Sequence, residues 1–99
     1  MEDGIIRIQD GIEIMKFEDG TWILYGKENI EPFALNGSAS RALELALQYG
    51  VQEGLEQYLQ EVRNKFTAIQ VLREAEEDYY YTLDVCKTRG FVNIDYIKD

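Results

Sequence analysis

Residues 33–47 read FALNGSASRALELAL, and the change of pattern within them decides the fold. Phe33-Ala34-Leu35 is a short extended apolar run behind Pro32. A proline cannot donate to a sheet ladder, so it belongs at a strand start or on an edge strand. The run is therefore expected to be an edge strand. In Asn36-Gly37-Ser38, Asn36 or Ser38 can accept the free N–H groups of a first helical turn. Ala39, Ala42, Leu43, Ala46 and Leu47 then recur at helical spacing until Gly50, a natural stop. A strand thus passes directly into a first helix over about 38–49.

Upstream, the chain is written in strands and tight turns. Asp3-Gly4, Asp10-Gly11 and Asp19-Gly20 are Asp-Gly pairs, and the last two lie between β-rich runs, as hairpin turns of type I′ do. The pattern predicts an antiparallel meander of Ile5 to Ile8, Ile12 to Phe17 and Thr21 to Tyr25, with Phe33 to Leu35 as a fourth strand. Trp22-Ile23-Leu24-Tyr25 is apolar on both faces, so this strand is expected to be central and covered by helices.

Downstream, Leu55, Tyr58, Leu59, Val62 and Phe66 mark a second amphipathic helix over about 52–66. Residues Thr67 to Leu72 fit either an extension of that helix or a packed connection. The acids Glu74, Glu76, Glu77 and Asp78 suit a helix start, while Lys87, Arg89 and Gly90 suit its end, which places helix three at about 75–89. On it Tyr79, Leu83 and Cys86 share a stripe assigned to the core. Tyr81 and Val85 form a neighbouring stripe free to face a ligand. Of the run Tyr79-Tyr80-Tyr81, at most two rings can share one site, because helical residues point about 100° apart. Phe91, Val92 and Ile94 form an apolar tail expected to lie back on the core. The whole is read as one α+β domain over 1–99, N-terminal strands followed by three helices.

Composition narrows the chemistry. Ten basic and nineteen acidic residues among 99 give a net charge of −9, and a surface of that sign repels nucleic acid. There is no histidine and a single cysteine, so imidazole acid–base chemistry and the usual zinc sites are ruled out. No phosphate-binding loop, nucleophile elbow or EF-hand loop occurs. The expectation is a chain without catalytic residues, cofactor or metal. No 18-residue apolar run or leading apolar segment appears, which points away from the membrane and to the cytosol.

The order of these segments resembles the PqqD-like family, the small winged-helix peptide chaperones also called RiPP recognition elements. The resemblance rests on Thr21 to Gly26 (TWILYG), on Phe33 to Leu47, and on Thr88 to Val92 (TRGFV), and it covers about residues 12–94. Here Thr67 to Glu77 is longer than the family's usual loop, and Ile5 to Ile8 looks like an added strand. The resemblance implies a domain that binds the leader of a ribosomally made precursor peptide. The leader would add as a strand beside the edge strand, against the third helix, for delivery to a modifying enzyme such as a radical SAM protein or a cyclodehydratase. The residues expected to touch the peptide are Phe33, Ala34, Leu35, Tyr80, Tyr81 and Val85. An exposed edge is also open to homodimer formation. The rival readings are a winged-helix DNA-binding regulator, disfavoured by the acids and tyrosines of helix three, and an antitoxin-like interaction subunit.

Overall fold

The computed structural model describes residues 3–26 and 28–97, and its elements run β1 (Gly4–Ile8), β2 (Glu13–Lys16), β3 (Trp22–Tyr25), β4 (Phe33–Leu35), α1 (Gly37–Tyr49), α2 (Val51–Arg63), α3 (Ile69–Thr88) and β5 (Val92–Tyr96). The α+β class holds, with antiparallel strands ahead of three helices. The strands form two sheets: β2-β3-β4 in sequence order, and a separate pair of β1 with β5.

That pairing corrects the expected meander. Ile8 sits opposite Val92 and Ile6 opposite Ile94, so the C-terminal apolar tail is a strand and β1 is its partner. Ile6, Val92 and Ile94 are buried while Arg7 and Asp95 form an ion pair on the open face. Alternation of this kind fits a sheet with one face on the core. Asp10-Gly11 does make a tight turn, with Ile12 N–H donating to Gln9 C=O at 3.1 Å. It redirects the chain from one sheet to the other without forming a hairpin.

The turn at Asp19-Gly20 also differs from a two-residue type I′ turn, which needs two positive φ angles. Only Gly20 has one, at 93°. The loop is closed by Phe17 N–H donating to Thr21 C=O and Gly20 N–H donating to Phe17 C=O, and the Asp19 carboxylate accepts the Thr21 N–H. β3 is central as expected, with Trp22 and Leu24 buried and paired to Leu35 and Phe33 of β4.

The helices stack on this sheet around one apolar core, in which Leu24, Leu43, Val51, Tyr79, Leu83, Cys86, Phe91 and Val92 are fully enclosed. Asn36 proves to be the cap of α1, its side chain accepting the Ala39 N–H at 2.8 Å. The Ser40 hydroxyl, buried in the same turn, donates to the carbonyls of Leu35 and Asn36 and so ties β4 to α1. Gly54, in the first part of α2, lies where three helices meet. A Cβ there would stand 2.6 Å from Tyr79 Oη and 2.9 Å from Ala46 Cα. Its lack of a side chain therefore lets α1, α2 and α3 close up. The Tyr79 hydroxyl donates to the Val51 carbonyl at 2.6 Å and fixes α3 against α2.

Two helix boundaries move. α2 ends at Arg63, which leaves Phe66 beyond the helix and about half exposed. α3 begins at Ile69, six residues ahead of the expected start, so the connection between α2 and α3 is short. Its cap position, Ala68, makes no side-chain hydrogen bond, and its first turn holds no acid. The acidic run Glu74 to Asp78 is thus mid-helix surface.

Candidate functional site

β4 pairs with β3 on one side only. Beyond its outer edge stands α3, and between them runs an open groove of about 330 Å³. Phe33, Ala34 and Leu35 form one wall, and Tyr81, Thr82 and Val85 of α3 form the other. Asn36, Ser38 and Ala39 close the end where β4 runs into α1, and Tyr58 and Asp78 border the same region. A further hollow of about 230 Å³ shares Phe33, Tyr81 and Val85 and extends the groove toward Thr88 and Arg89.

The 3.6-residue repeat of α3 explains which side chains arrive here. Tyr79, Leu83 and Cys86 take the core stripe, so Asp78, Tyr81, Thr82 and Val85 fall on the adjacent stripe that overlooks β4. Tyr81 is 71% exposed. A large aromatic ring left open beside an unpaired strand edge is contact area without an intramolecular partner. Val85 is half-buried at the groove's middle.

Five of the six residues expected at a peptide site, Phe33, Ala34, Leu35, Tyr81 and Val85, line this groove. Tyr80 does not. Its position on α3 turns it away, and its ring meets Tyr79 edge-on at a centroid distance of 5.6 Å. Burial, with Glu76 nearby, raises its phenol pKa above the ordinary value.

The groove also holds residues that pattern reading assigned elsewhere. Asn36 and Ser38 read as caps, Tyr58 as a core position of α2, and Asp78 as part of a helix start. Tyr58 is mostly buried, its ring 5.8 Å from that of Tyr79. Burial first, then the Asp78 carboxylate, raises its phenol pKa, while the Ser38 side chain works in the opposite sense. Tyr58, Ser38 and Asp78 therefore make a polar end to an otherwise apolar groove.

Phe33 is held in place from two directions. Its ring stacks on Phe91 at 6.2 Å with an interplanar angle of 11°, and the Arg89 guanidinium lies 4.3 Å from its centroid. Such a cation over a ring face is attracted by the ring's quadrupole. Cys86, behind this wall, is a closed-off thiol whose pKa burial pushes up to about 11, so it is a poor nucleophile at neutral pH. Among the described residues no group of three metal-ligating side chains comes together, and no helix is long and apolar enough to cross a membrane.

No family model matches the chain, and no curated protein matches it in sequence. In fold it is similar to TbiB1, whose structure was solved in complex with the TbiA(β) leader peptide. The TM-score is 0.64, at 18% identity over 93% of this chain and 99% of that one. At that identity the likeness concerns the fold.

Proposed function

We propose that this chain is a non-catalytic peptide-binding protein that captures the leader of a ribosomally made precursor peptide and presents it to a separate modifying enzyme. The observation that carries the reading is the groove between the unpaired edge of β4 and α3, apolar along both walls. An extended peptide laid there gains main-chain hydrogen bonds from the edge, and its alternate side chains enter the hollows beside Tyr81 and Val85. Similarity of fold to a protein solved with a leader peptide supports a peptide-binding role.

The chain's own residues offer binding and orientation, so the chemistry would belong to the partner enzyme, a radical SAM maturase being the class we favour. The test is a titration of the isotopically labelled protein with the leader of a precursor encoded beside its gene, followed by amide chemical shifts. Shifts centred on Phe33 to Leu35 and on Tyr81 to Val85 are expected. Saturable binding that leaves those amides unmoved would remove the strand-addition model.

A further inference from the structure

The groove is apolar along its walls, with an acid, Asp78, bordering one end and a base, Arg89, bordering the other. At the Phe33 end, the Arg89 guanidinium lies over the Phe33 ring. The ion pairs among the described residues belong to Arg7 and Arg41, and none of them involves Arg89. Asp84 borders the same end and Glu31 shares a neighbouring hollow with Arg89, but neither is paired with it. At the Ser38 end, Asp78 borders the groove, and its carboxylate enters no ion pair or hydrogen bond among the described residues. The nearby cation Arg41 is taken up by Glu44 and Glu61, and Lys65 lies near Glu61. Asp78 is left as the uncompensated charge.

We propose that this polarity selects the peptide: a basic side chain is received by Asp78, an acidic one by Arg89, and an apolar one between them by Tyr81 and Val85. The proposal rests on the reading of the groove as a peptide site and specifies the ligand. Asp78 lies in α3 and Arg89 is its C-cap, eleven residues on, about 16 Å along the helix axis. Side chains on one face of an extended peptide recur every second residue, about 6.8 Å. A separation of four residues is the nearest even spacing, and the length of the two charged side chains covers the remainder. α3 passes Arg89 at the start of β4 and Asp78 at its end. A peptide adding antiparallel, the pairing that is slightly more stable per residue, therefore presents its basic residue first. The recognised pattern is basic, any, apolar, any, acidic.

A phage-displayed library of random 12-residue peptides, selected on the folded full chain, tests this directly. Enrichment of a basic residue four positions ahead of an acidic one, around an apolar centre, is expected. Exposed pairs of this kind are modest, so reversing the two charges in an enriched peptide should weaken binding about three- to tenfold. The double variant Asp78→Lys/Arg89→Glu, verified as folded by circular dichroism, should prefer the reversed peptide. Enrichment of apolar peptides with no charge pattern, or a preference unmoved in the double variant, overturns the charge proposal while the peptide groove stands. No enrichment at all overturns the groove reading on which it rests.

Discussion

The three-stranded sheet has two open edges that ought to be equivalent and are not. β2 and β4 both pair with β3, on opposite sides of it. β2 reads Glu13-Ile14-Met15-Lys16, with a charge at each end and Met15 46% exposed. Its Lys16 ammonium lies 4.6 Å from the Trp22 ring centroid and covers the rim of the core. β4 carries no charge and looks onto α3 across the groove. Charged residues on an edge discourage pairing with another chain. An uncharged edge beside an apolar wall invites it. The difference teaches that an edge strand becomes a binding surface through what stands next to it as much as through its own residues.

The strongest way to break the contrast is to move the wall. Gly54→Ala gains about 1 kcal/mol of helix propensity, but the new methyl meets Tyr79 Oη and the Ala46 backbone, and overpacking against main chain costs about 1–3 kcal/mol or more. The clash wins because neither α1 nor α2 can retreat without opening the core. We expect a net loss of about 2 kcal/mol, read as a fall in the denaturation midpoint, and peptide binding weakened with it. A variant as stable as the parent would contradict the three-helix contact.

A matched pair of substitutions then compares the groove beside β4 with the edge at β2. Val85→Glu places a charge in the groove and should weaken a bound leader peptide by more than about tenfold, equivalent to about 1.4 kcal/mol. Met15→Glu on the outer face of β2 should leave the affinity unchanged. Calorimetric titration of both variants measures the difference. Equal losses would mean that β4 is not the binding edge.

The smallest effect tests the guard on β2. Lys16→Val removes the cation from Trp22 and should cost no more than about 1 kcal/mol of stability, the usual worth of an exposed cation over a ring. Its consequence should be self-association through the uncovered edge, visible as a concentration-dependent elution volume. A variant that stays at the parent's elution volume across the concentration range shows that Lys16 is not what keeps β2 unpaired.

Much of the groove was legible because its walls obey short-range rules. Pro32 marks an edge strand, Asn36 a helix start, and the repeat through Tyr79, Leu83 and Cys86 assigns the core stripe and so the stripe beside it. The repeat sets Tyr79 inward but does not show which neighbouring ring looks onto β4; Tyr81 lines the groove and Tyr80 does not. Asp78 was hidden for a different reason. The cap position of α3, Ala68, makes no side-chain hydrogen bond, so no local signal marks its first turn, and the acids six to ten residues later resemble one.

Residue order alone thus determined the types of the first seven elements, the central place of Trp22 to Tyr25, the buried face of α3 and the lack of imidazole or paired-thiol chemistry. These follow from hydrophobic period, turn residues and composition, which act within a few residues of each other. Only the tertiary structure decided that β1 pairs with β5, that Gly54 is the contact point of three helices, and that Tyr58, Ser38 and Asp78 meet at one end of the groove. Those outcomes join positions up to 92 residues apart, as Gly4 and Tyr96 are. They are set by which apolar faces close most completely around a shared core, a quantity that no local stretch contains.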